Sequence, residues 1–173
     1  MKSFYIYLIV LIVFLLTIFL QINVFSIFTL VGTAANLGII LVTAIGLMTG
    51  EERGSILGGV FGFLIDIVEG KALGVYMLSY ILLGYFTGRV GKDFSKENRT
   101  TLVAMVGVST LVFEVFYYFF NILLYRMDLT PFYFAMEVGK EVVYNMLLAI
   151  IFFKFLYGLG DLINRTKDNY YML

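Results

Sequence analysis

The chain has no cysteine, no histidine and no tryptophan, and its single proline is Pro131. Without cysteine there are no disulfides and no thiolate nucleophile, and the compartment cannot be read from redox chemistry. Without histidine the commonest general acid–base group and the usual zinc ligand are missing. Charge is scarce too: 14% of 173 residues, twelve basic against twelve acidic. That balance offers no basic surface to a nucleic acid. What is left is apolar. Hydrophobic residues make up 61% of the chain, and mean hydropathy is +0.97, far above a soluble domain.

A spanning helix needs about 20 mostly apolar residues. Six candidates follow, at about residues 4–25, 36–49, 54–68, 72–90, 101–125 and 138–159. The expected fold is an all-α integral membrane protein of six transmembrane helices, forming one domain over residues 1–173. The first run is longer than a signal-peptide core and lacks a small-residue cleavage site after Gln21, so it reads as a retained helix. The second and third are short and interrupted only by Gly50, Glu51, Glu52 and Arg53, which predicts a tight helical hairpin. Thr130 and Pro131 read as the start of a last helix too long for the hydrocarbon core, which either tilts strongly or lays residues 131–139 along the outer interface with a bend at Gly139.

Basic residues set orientation in membranes. With the N-terminus inside, Lys2, Arg53, Arg89, Lys92, Lys96, Arg99, Arg165 and Lys167 fall on the inner side. Only Lys71, Arg126 and Lys140 fall outside, and Lys154 can snorkel inward from the last helix. This bias places both termini in the cytoplasm, along with the polar loop at 89–100. That loop reads as an anchor at the headgroups or as a docking loop for a partner.

Gly54, Gly58, Gly62, Asp66, Gly70 and Gly74 recur every four residues. On a helix such positions share a face. Small residues let membrane helices approach closely, so the ladder marks a packing face within the chain or against a partner. Asp66 costs about 2.5–3.5 kcal/mol at a helix centre and needs a hydrogen-bonding partner or a ligand. Thr110, Glu114, Tyr117 and Asn121 make a polar stripe on the fifth helix. Lys140, Glu141, Tyr144 and Asn145 open the sixth. Asp66, Glu114, Lys140, Glu141, Tyr144 and Asn145 therefore form a candidate buried polar cluster, with Lys140 as a counter-ion for Glu114. Tyr117, Tyr118 and Tyr125 suit an outer aromatic belt.

The run Ala35-Asn36-Leu37, then Gly54-x3-Gly58-x3-Gly62-Phe63-x2-Asp66, Gly70-x3-Gly74 and Gly84-Tyr85-x2-Gly88 resembles the rod-shape-determining protein MreD family. In that family a Pro-Asn or Pro-Asp pair opens the second helix, the third is glycine-rich, and a G-Y-x-x-G element closes the fourth. An asparagine in the last helix, here Asn145, also matches. The resemblance covers most of residues 30–160, with Ala35 in place of the proline and the glycine after Phe63 missing, since Leu64 and Ile65 follow. It implies a non-enzymatic scaffold of bacterial cell elongation that associates with MreC and, through it, with MreB and peptidoglycan synthases. It implies no cofactor and no metal. Gly84 and Gly88, like the third-helix glycines, become candidates for helix packing or a partner interface.

The family is also similar to the substrate-binding S-components of energy-coupling-factor vitamin transporters, which makes such a subunit the alternative. Those proteins dock through an alanine-rich first helix, whereas residues 4–25 contain neither alanine nor glycine. Catalysis is the third class. Asp66 is the one aspartate at membrane depth, so the two-aspartate pattern of an intramembrane protease is missing.

Overall fold

The computed structural model describes residues 2–27, 29, 32–69, 74–93, 98–125 and 131–168. Among these residues there are six α-helices: α1 Lys2–Leu20, α2 Leu37–Thr49, α3 Glu51–Glu69, α4 Val75–Val90, α5 Arg99–Tyr125 and α6 Pro131–Asp168. A π-helical turn, Gln21–Phe25, extends α1, and a 3-10 turn, Gly91–Asp93, extends α4.

Helix α2 is the centre of the bundle. Residues 37–48 are all buried, and α2 touches each of the other five helices. A helix that is hydrophobic all round is stable either in such a place or facing lipid, and α2 takes the first. Asn36 starts it: its side-chain oxygen accepts from the Ile39 N–H at 3.2 Å. Gly50 ends it at φ +94°, a left-handed conformation that lets α3 begin one residue later. The hairpin expected from the sequence therefore turns on Gly50 alone, and Glu51, Glu52 and Arg53 lie in the first turn of α3 rather than in the loop.

Three segments are long and apolar enough to cross a membrane: Phe4–Phe25, Arg99–Phe120 and Phe132–Thr166. Large apolar side chains on these helices, including Phe4, Ile12, Phe19, Val115 and Ile151, point away from the bundle. The molecule is a helical membrane protein. Helix α2, with 13 residues, is about 20 Å long, less than the hydrocarbon core of about 30 Å.

Helix α6 departs from the expected span. It is one continuous helix of 38 residues through Gly139, a position with open space beside it. Its polar ends explain the difference. Glu137 and Lys140 at one end, and Asp161 and Arg165 at the other, continue the helix with i,i+3 and i,i+4 ion pairs. Hydropathy registers only the apolar middle. Thr130, the expected cap, lies outside the described residues.

Candidate functional site

Helices α3 and α4 form an antiparallel hairpin packed backbone to backbone. A methyl group added at Gly54 would stand 2.5 Å from the Gly84 carbonyl oxygen, and one at Gly62 would stand 2.5 Å from that of Tyr76. At Gly58 it would strike the Tyr80 carbonyl. Each step of four along α3 thus meets a step of four back along α4. Gly88 closes the series against Gly50 and Glu51. Gly46 of α2 joins at the same level, 2.8 Å from the Gly54 methyl position. The face containing Gly84 and Gly88 is therefore occupied within the chain, so it is not the open side for a partner that the sequence left possible.

The ladder stops being a packing face at Asp66. Its carboxylate crosses to the start of α4 and accepts from the backbone N–H groups of Gly74 at 2.9 Å, Tyr76 at 3.1 Å and Met77 at 3.0 Å. The first turn of any helix leaves N–H groups without partners. Gly74, the N-cap residue, has no side chain to supply one. Asp66 is the missing cap, provided from the preceding helix, and it sits at the positive end of the α4 dipole. Gly74 itself is at φ +103°, and a methyl added there would meet nothing within 4 Å. Its role is conformational, which corrects its reading as a packing position. Gly70 lies outside the described residues.

A second set of polar groups converges on Asn36. The Asn36 N–H donates to the Asn145 Oδ1 at 2.8 Å, and the Tyr80 hydroxyl donates to the Asn36 Oδ1 at 3.1 Å. The Asn145 amide nitrogen donates to the Thr110 hydroxyl at 3.0 Å and lies 3.5 Å from Glu141. Glu141 and Glu114 hydrogen-bond to each other. Gln21, in the π-helical turn, donates to the Ala35 carbonyl at 2.7 Å and accepts from the Leu37 N–H at 2.8 Å. One layer thereby ties α1, α2, α4, α5 and α6 together. Beside it runs an aromatic row, Phe14, Phe61, Tyr80, Phe113, Tyr76 and Tyr117, linked ring to ring.

Lys140 is not the counter-ion of Glu114. Its ammonium binds Glu137 at 2.6 Å, one turn back on α6, and Glu137 also accepts from the Thr33 hydroxyl at 2.6 Å. Tyr144 is half-buried and packs against the apolar core. Glu114, Glu141 and Asn145 share one network, whereas Asp66 belongs to the α3–α4 hairpin. Tyr76 leads from the hairpin toward α5: its N–H binds Asp66 and its hydroxyl donates to Tyr117 at 3.0 Å. Gln21, Thr33, Tyr80 and Glu137 are members that sequence reasoning missed. An asparagine directly before an apolar run is a cap signal, and it marks Asn36. No local pattern marks the other four.

The positions of the motif now have physical roles. Asn36 caps the central helix, the third-helix glycines admit α4, and Asp66 caps α4. The description of the family model that matches residues 1–162 is rod shape-determining protein MreD. The chain belongs to the MreD family. Membership places this MreD-family protein in the determination of rod shape and in a bacterial membrane. No curated protein and no solved structure matches the chain. Among its described residues, no three Asp or Glu side chains gather as a metal site.

Proposed function

We propose that the protein is a non-enzymatic scaffold of the cell-elongation complex. It crosses the membrane six times as one domain, keeps both termini in the cytoplasm, and binds an MreC-like partner. Through that partner it reaches MreB and peptidoglycan synthases and helps organise peptidoglycan synthesis. The observation that carries this reading is the contrast between α1 and the rest. Several helices carry exposed apolar side chains, but of the three long apolar segments α1 is the least buried, and it turns Phe4, Tyr5, Ile12, Leu15 and Phe19 outward. In the family such a protein works with membrane partners, and α1 has the largest share of its surface to give.

The rival reading, a vitamin-binding S-component, needs polar side chains free to hold a ligand. Asp66, Asn145 and Asn36 already bond to groups of the chain itself. The cavity of about 300 Å³ between α1, α2 and α6 is lined by Val13, Leu16, Ile40, Phe152 and other apolar residues, with Thr17 the one polar member and its hydroxyl already bonded to the Val13 carbonyl. Depletion in a rod-shaped host tests the proposal. Rounded, swollen cells with continuing wall synthesis are expected. Normal shape, together with a stoichiometric small molecule in native mass spectra of the purified protein, would favour the transporter.

A further inference from the structure

Cations at the Gly50 end of the bundle are mostly matched. Arg89 and Lys92 share Glu51 at 3.3 and 2.8 Å, and Arg165 pairs with Asp161 at 2.8 Å; Arg53 has, among the described residues, only the Ile163 carbonyl, at 2.9 Å, but is partly buried. Two exposed cations are different. Arg99, the first residue of α5, reaches across to α6 and donates one N–H to the Ile150 carbonyl at 2.8 Å. No carboxylate among the described residues binds it. Lys154 follows Ile150 by four residues, so its side chain leaves the same region of α6 one turn away. It too is exposed, with no carboxylate partner among the described residues.

The surface around the pair is apolar and outward-facing: Ile150 is 37% exposed, Ile151 70% and Phe155 51%. In a membrane, two positive charges without a carboxylate partner among the described residues call, on such a surface, for an anion that arrives with its own apolar body. A guanidinium that gives one N–H to a carbonyl has further N–H groups to match the oxygens of a phosphate, and an ammonium adds a second point charge. We propose that Arg99 and Lys154 together hold the phosphate of an anionic phospholipid, whose acyl chains lie along Ile151 and Phe155. The inference goes beyond the scaffold reading and rests only on the chain lying in a membrane.

Native mass spectrometry of the full-length protein, titrated in mild detergent, tests it. The probes are phosphatidylglycerol, zwitterionic phosphatidylcholine and inorganic phosphate. The wild type should retain phosphatidylglycerol in preference to phosphatidylcholine, and inorganic phosphate should not displace it. Arg99→Gln and Lys154→Gln should each weaken retention about fivefold, and the pair about 25-fold. Arg99→Lys should keep most of it, and Arg165→Gln, at a cation already paired with Asp161, should change nothing. Equal retention of the two lipids overturns the site, as does full retention by a double variant that melts like the wild type. Displacement by inorganic phosphate would show a free-anion site and overturn the lipid assignment.

Discussion

Gly54 and Gly84 face each other backbone to backbone, and a methyl on either would strike the carbonyl oxygen of the other. Nothing but hydrogen fits between them, so the α3–α4 hairpin depends on residue size more than on hydrophobicity. In lipid this is how helices are expected to associate, because burying bulk gains little there.

Gly58→Leu and Gly62→Leu should therefore lose at least about 1–3 kcal/mol of stability by overpacking, seen as a lower melting temperature in detergent. Gly139→Ala, in open space on α6, should be neutral or gain up to about 1 kcal/mol from helix propensity. Equal effects at Gly58 and Gly139 would contradict the close-packed hairpin.

Asp66 accepts three N–H bonds and donates none in those contacts. Asparagine keeps one accepting oxygen and turns an N–H₂ toward other N–H groups, and leucine keeps nothing. Stability should fall in the order Asp, Asn, Leu. Asp66→Leu should cost about 1–3 kcal/mol or more, because three part-buried hydrogen bonds are lost together. Hydrogen exchange at the start of α4 reads the effect directly. If Leu protects those amides as well as Asp does, the cap assignment fails.

Asn145 stands between the Asn36 N–H and the Thr110 hydroxyl. Asn145→Ala leaves both without that partner and should cost about 1–3 kcal/mol. Tyr80→Phe and Asn36→Ala should be coupled by about 0.5 kcal/mol or more in a double-mutant cycle, since each removes one side of a single hydrogen bond. Simple additivity would place the two residues in separate environments.

Glu51 ties the Gly50 turn to the end of α4. Lys92, and after it Arg89, hold its carboxyl below the usual carboxylate range, against a smaller opposing cost of burial. A depressed folded-state value stabilises the fold at pH above the unfolded value of 4.5, and that contribution disappears as pH falls through the folded value. The wild type should therefore lose melting temperature between pH 6 and pH 3 more steeply than Glu51→Gln. Parallel curves would show that the clamp carries no stability.

The helices and the glycine face were legible because both rest on local periodicity: apolar runs, and one small residue per turn at 54, 58 and 62. The partners were not. Asp66 meets the Gly74, Tyr76 and Met77 amides across a turn, and no spacing rule links a carboxylate to N–H groups of the next helix. Lys140 went to Glu137, a neighbour one turn away on its own helix, in preference to Glu114 on α5. Tyr80 and Gln21 read as ordinary members of apolar helices until the fold brings Asn36 and Ala35 beside them. That α2 lies at the centre also follows from three-dimensional packing, since its composition alone resembles that of α1.

The central claim is that the outer face of α1 receives a membrane partner of the elongation complex. A photo-crosslinking residue at Ile12, 56% exposed, tests this most directly in a rod-shaped host, followed by purification in gentle detergent. The account predicts a crosslink to an MreC-like single-span protein that is lost when Leu15 and Phe19, also exposed on α1, are both changed to lysine. Recovery of an ATPase-coupled transporter module through α1, with no elongation protein attached, would contradict it.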